Sequence, residues 1–158
     1  SAFTCSMCPL QPQARGSVRI RSADPGEAPA IRYNFLSTED DRNTAVAGLK
    51  LLRRLVRSPA MRPYVAAEES PGERVQSDAD WLGYCREAGG TVYHPVATCR
   101  MGTDARAVTD ARLRVRGISG VRVVDASIMP AVVSGNINAA VIAVAEKGAD
   151  LVLEDASR

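Results

Sequence analysis

Residues 139–145 read AAVIAVA, seven apolar side chains in succession. At helical spacing such a run leaves no polar face, so the end of any helix built from it has to be buried. The helix is expected to begin near Asn138 and to run to about Leu153. Burying one end on all sides requires other elements packed around it. A chain of 158 residues can supply them without a metal or disulfide staple, because a domain of that size buries about 70% of its unfolded surface.

The partners for that helix are legible upstream. In GSVRIRSA, residues 16–23, Val18 and Ile20 alternate with Arg19 and Arg21, the period-two pattern of a half-buried strand. A loop, DPGEAP, precedes AIRYNF, which reads as a second short strand ending before Ser37. A helix is expected from Ser37 or Thr38, with Glu39, Asp40 and Asp41 in its first turn and Arg53, Arg54 and Arg57 late, as the helix dipole favours. Ala45, Leu49, Leu52 and Val56 recur on one face, and Pro59 ends the run. Ser77-Asp-Ala-Asp80 reads as a capping box with Asp in place of Glu, opening a short helix through Trp81, Leu82 and Cys85 to Gly89. Further strands are expected around 107–109, 113–115 and 121–124. The class is α+β, an antiparallel sheet with helices packed against it, in one domain over residues 1–158.

Composition excludes several functions. The net charge is +2, and 18 of the 20 basic residues are Arg, a bias that names no partner. Arg112, Arg114, Arg116 and Arg122 cluster but alternate with apolar residues, so a solvated strand face is the reading over a nucleic-acid site. Cys5-x-x-Cys8 is half of a zinc site with no second half; four free thiols in a reducing cytoplasm is the expectation, with no metal bound. No run of ~18 apolar residues is present for a transmembrane segment. The chain starts SAFT, without Met, which points to a cut or processed piece of something longer.

Three segments carry residues suited to chemistry. His94, the sole histidine, sits in TVYHPVATCRMG, where Pro95 restricts it to extended geometry and so aims its imidazole. Imidazole is matched to proton transfer near neutral pH, although a lone histidine is more often structural. In SGNINAA, Asn136 and Asn138 lie where the last helix begins. Either is a plain N-cap, or they join the helix N-terminus in seating an anion and donating to an oxygen that gains charge. In VRVVDASIMP an apolar strand ends at Asp125-Ala126, a turn where a ligand could meet backbone amides, or simply a turn.

Taken in order, these segments resemble the C-terminal signature of the glucose–methanol–choline (GMC) flavin oxidoreductases. HPVATCRMG is similar to that family's HPxGTCRMG, VRVVDASIMP to the strand and loop that follow, and SGNINAAVIAVAEKGADLV to its SGNTNAPxxxIAEKAADxI ending. CPLQPQARGSVRIRSADP is similar to its substrate domain. The resemblance implies FAD-dependent oxidation of an alcohol by a choline-dehydrogenase-like enzyme, with hydride passing from the alcohol carbon to the flavin. His94 then stands at the position of the base. Asn136 stands at that of the residue that hydrogen-bonds the substrate oxygen, and Asp125, Ala126 and Asn138 at places where the chain touches FAD. Two departures stand out: Ala97 replaces a usual glycine, and Ala140 a common proline. A third matters more. The family's GxGxxG nucleotide-binding turn is absent, since Gly117-x-x-Gly120 is too short. The chain is therefore expected to be the substrate-binding, base-bearing portion of a larger flavoenzyme. Its partners would be an alcohol and an N-terminal FAD-binding domain of the same polypeptide, and alone it would be inactive. The alternative is a non-catalytic ligand-binding or scaffolding domain of the same fold. Aromatic residues are too scattered to assign a choline cage.

Overall fold

The computed structural model describes residues 1–157. The fold is α+β, and the chain divides into two compact units, residues 1–16 with 32–92, and residues 17–31 with those from Tyr93 onward.

The first unit is built on two helices. Helix α1, Glu39–Val56, starts where the sequence places it: Thr38 is the N-cap, its hydroxyl accepting from Asp41 N at 3.2 Å. Asp41 is buried and accepts from Gln13 N at 2.8 Å and Ala14 N at 2.7 Å, which fastens the N-terminal segment to α1. Helix α2, Asp78–Ala88, opens on the expected capping box between Ser77 and Asp80 and ends at Gly89. Val46, Val75 and Trp81 form the core, with Leu49, Leu82 and Tyr84 around them. Arg53 holds this core from one side. Its guanidinium lies 4.1 Å over the Trp81 ring and donates to Glu68, to Gly72 O at 3.1 Å and to Val75 O at 2.5 Å.

The second unit holds the strands. β1, Ser17–Arg19, and β2, Ala30–Arg32, pair as a two-stranded antiparallel ribbon. Gly16 is needed at its mouth, because a Cβ there would lie 2.1 Å from the Arg32 carbonyl oxygen. The ribbon corrects one expectation. Val18 is half exposed and Ile20 is 89% exposed, so the alternating face is not covered. Two strands offer a face but no second layer to bury it. The strands expected at 107–109, 113–115 and 121–124 contract to single bridges, Met101 with Thr109, Thr109 with Val115, and Arg114 with Arg122.

Helix α3, Asn138–Ala156, packs on a core of Leu113, Ile128, Met129, Ile137 and Leu151. Gly148 lets it rest on Val124, whose Cγ1 would be 2.3 Å from an added Cβ. The AAVIAVA run is only half buried, against expectation. Ala140, Val141 and Val144 pack on the core, whereas Ala139, Ile142, Ala143 and Ala145 are exposed. The unit covers one side of the helix and leaves the other open. The clustered arginines are occupied internally. Arg112 donates to Glu154 at 3.0 Å and Asp155 at 2.7 Å, Arg114 to Asp110 at 2.9 Å, Arg116 to the Gly102 carbonyl, and Arg122 to Asp155 and the Arg112 carbonyl.

Candidate active site

Three segments of the second unit converge on its core. The loop carrying His94 is pinned from its far end. Cys99 N donates to Ser127 O at 3.0 Å and Met101 N to Ile128 O at 2.8 Å, so the CRMG stretch lies against the turn that follows Asp125. Buried Thr109 adds a bond from its hydroxyl to Cys99 O at 3.2 Å. Arg100 grips Asp104 with two bonds, of 2.8 and 2.6 Å, closing the next turn. That bidentate grip, with the Arg106 amide, holds the Asp104 carboxyl well below the usual carboxylate range. Val96, two residues after His94, packs on the same cluster as Ala126 and Ile137.

His94 itself is half-buried, and its imidazole bonds no other described residue. It is flanked by backbone that L-residues rarely adopt: Tyr93 has φ +60° and Ala97 φ +73°. Pro95 restricts the backbone of His94, but nothing in the sequence announces a left-handed tyrosine. For Ala97 there is a signal, the glycine that the GMC pattern carries at this position.

Asp125 acts first as a turn residue. Its Oδ1 accepts from Ser127 N at 2.8 Å and from the Ser127 hydroxyl, capping the short 3-10 turn Ala126–Ile128. Ala126 packs inward on the core. At α3 the expected side-chain cap is missing. Ile137 occupies the N-cap position, no side chain caps the helix, and Asn138 is its first residue. Asn136 and Asn138 are both exposed, and neither amide bonds another described residue. The first turn of a 19-residue helix thus presents free N–H groups beside two free amides. Such a cluster receives oxygen atoms that carry or gain negative charge. Among the described residues no cluster of His, Cys, Asp or Glu could hold a metal, and all four cysteines are free thiols.

A family model described as GMC oxidoreductase matches residues 12–145. The chain belongs to the GMC oxidoreductases. An oxygen-dependent choline dehydrogenase of Pseudomonas putida is 43% identical over 95% of the chain, which covers 26% of that protein. Among solved structures, pyridoxine 4-oxidase from Mesorbium loti superposes with a TM-score of 0.82 at 37% identity, covering 89% of the chain and 28% of its own. An FAD-dependent oxidoreductase from Chaetomium thermophilum superposes with a TM-score of 0.87 at 30% identity, covering 94% and 26%. The chain spans about a quarter of the length of the curated relatives it matches. It is the C-terminal region of a GMC oxidoreductase fold.

Proposed function

We propose that this chain is the substrate-facing, base-bearing part of an FAD-dependent alcohol oxidoreductase of the choline-dehydrogenase kind. One observation carries the reading: the His94 loop, the Asp125 turn and the uncapped start of α3 gather on one core. The relative named choline dehydrogenase supports it.

The residues present fit one edge of a flavin. Free amide and N–H donors at the start of α3 suit an oxygen-bearing ring that becomes electron-rich on reduction. Asn138 and the Asp125–Ala126 turn would hold that edge. FAD, when bound, supplies the two-electron acceptor for the alcohol carbon. His94 takes the proton from the substrate hydroxyl at its free imidazole nitrogen, and the Asn136 amide donates to the same oxygen. Neither group is tied to a described residue, so each is available to substrate without breaking a protein bond. The nucleotide half of FAD has no seat here, because the sequence contains no GxGxxG turn. An FAD-binding portion of the same polypeptide supplies it, and the isolated chain holds little cofactor. No described helix is long and apolar enough to cross a membrane. Four free thiols are in keeping with a reducing compartment, and the cytoplasm is the proposed location.

The test is stopped-flow reduction of the assembled flavoenzyme by an alcohol panel beginning with choline. His94→Ala should slow reduction about 10³-fold or more while FAD stays bound. Near-normal reduction would take His94 out of the mechanism. Asn136→Ala should slow it about 10- to 100-fold; an unchanged rate would leave Asn136 a loop residue.

A further inference from the structure

Lys50, Arg53, Arg54 and Arg57 follow one another at spacings of three and four residues, which aligns them along one side of the C-terminal half of α1. With Gln76 and Trp81 they line a cleft of about 630 Å³ in the first unit. No carboxylate lines it. The helix dipole favours cations at this end of α1, but it serves every side of the last turn equally. Like charges at these spacings repel one another, so the dipole does not explain why all four share one side. The carboxylates that touch them hold only part of the charge. Glu68 is 18% exposed and is shared by Arg53 and Arg57. Asp78, on Lys50, is 78% exposed, and Glu73, 3.9 Å from Arg57, is 86% exposed. Pairs so exposed contribute little and yield to a better anion. Arg54 meets no carboxylate among the described residues. Arg53 plays a different part: its donors are engaged by Glu68, Gly72 O and Val75 O, so it is a fixed charge in the wall.

We propose that this cleft binds a small compound that carries a terminal di- or triphosphate. Three features select that chemistry. The stripe from Lys50 to Arg57 spans about 10 Å of helix axis, longer than one phosphate and matched to a chain of them. Arg54 and Arg57 can each donate in pairs to phosphate oxygens, and Lys50 adds a mobile point charge. The cleft also exceeds the phosphates in volume and lies in the size range of small-molecule sites. Ala47, Trp81 and the alkyl stems of the cations give the rest of the compound an apolar wall. The cleft belongs to the first unit, whereas His94 and Asn136 lie in the second, so this site does not depend on the function proposed above.

Trp81 is the single tryptophan of the chain, so its emission reports on this cleft. Titrating the 158-residue chain with ATP or pyrophosphate at low salt should change that emission saturably, and added salt should weaken both. AMP, with one phosphate, should bind at least about tenfold more weakly than ATP. Arg54→Gln/Arg57→Gln should weaken ATP at least about tenfold with helical circular dichroism unchanged. Arg54→Lys/Arg57→Lys should recover part of the loss, because the charge returns without the fork. Should the Gln pair unfold the chain, Arg54→Gln alone, which breaks no ion pair, should still weaken ATP several-fold. Equilibrium dialysis of ATP against the assembled flavoenzyme should reproduce the binding and the loss in the Gln variants. Binding that the Gln variants leave unweakened overturns the proposal, as does AMP bound as tightly as ATP. Absence of both an emission change and dialysis uptake at millimolar ATP overturns it as well. Binding to the chain but not to the flavoenzyme would mean that the rest of the polypeptide fills the cleft, which also overturns it. FAD, whose two phosphates are both esterified, should not displace ATP; displacement at equal affinity would make the cleft a cofactor seat instead.

Discussion

Ala97 holds a φ of +73° within three residues of His94. A methyl group in the left-handed region costs about 1–2 kcal/mol, a β-branched side chain more, and glycine almost nothing. The stability order at position 97 should be Gly at least equal to Ala, and both above Val, with Ala97→Val losing about 2 kcal/mol or more in urea unfolding. Equal midpoints for Val and Ala would mean that the loop does not hold that conformation in solution. Thr109 is the other residue whose role is local. It is fully buried, and its hydroxyl meets Cys99 O. Thr109→Val keeps the shape and removes the donor, which should cost about 1–2 kcal/mol. The residues proposed for chemistry, His94, Asn136 and Asn138, stand out at this scale because they lie beside Pro95, Gly135 and a helix start, each with a fixed backbone habit. The left-handed backbone at Tyr93 was not readable, because tyrosine carries no preference for a positive φ.

At the scale of elements, local rules sufficed for the helices. Thr38, the Ser77–Asp80 box and Gly89 act within a few residues of chain, so the starts of α1 and α2 and the end of α2 follow from sequence. What joins elements did not follow. Arg53 seemed a dipole cation in the last turn of α1, yet it donates to Glu68, Gly72 O and Val75 O while lying over Trp81. A lysine cannot form that fork, so Arg53→Lys should destabilise the first unit by about 2–3 kcal/mol, read as a lowered thermal midpoint. Carboxylates do similar joining. Burial pushes the Asp41 carboxyl up, but the Gln13, Thr38 and Ala14 bonds outweigh it; burial likewise opposes, and Arg112 and Arg122 overcome it, at Asp155. Both folded values lie below the unfolded ones, so this stabilisation is fully present above about pH 5 and is lost as pH falls through 4 toward the folded values. The urea midpoint should therefore fall between pH 5 and pH 3, and Asp41→Asn should flatten that slope.

For the whole molecule, the ribbon and α3 show where sequence reasoning stops. Alternation in GSVRIRSA was read as a half-buried face, and AAVIAVA as a buried helix end. Both surfaces are apolar as read, yet this chain leaves Ile20 and Ile142 largely uncovered. A pattern states that a face must be covered; it does not state by what. Absorbance at 450 nm should show the purified chain essentially without FAD, because no GxGxxG turn is present to take the pyrophosphate. A stoichiometric flavin would refute the division of labour proposed here. The sequence by itself determined the starts of α1 and α2, the end of α2 and the α+β class, since these depend on neighbours in the chain. Only the tertiary structure decided that the His94 loop, the Asp125 turn and the open end of α3 share one core, and that half of α3 is left bare. Those outcomes depend on contacts between residues far apart in sequence, which no local spacing encodes.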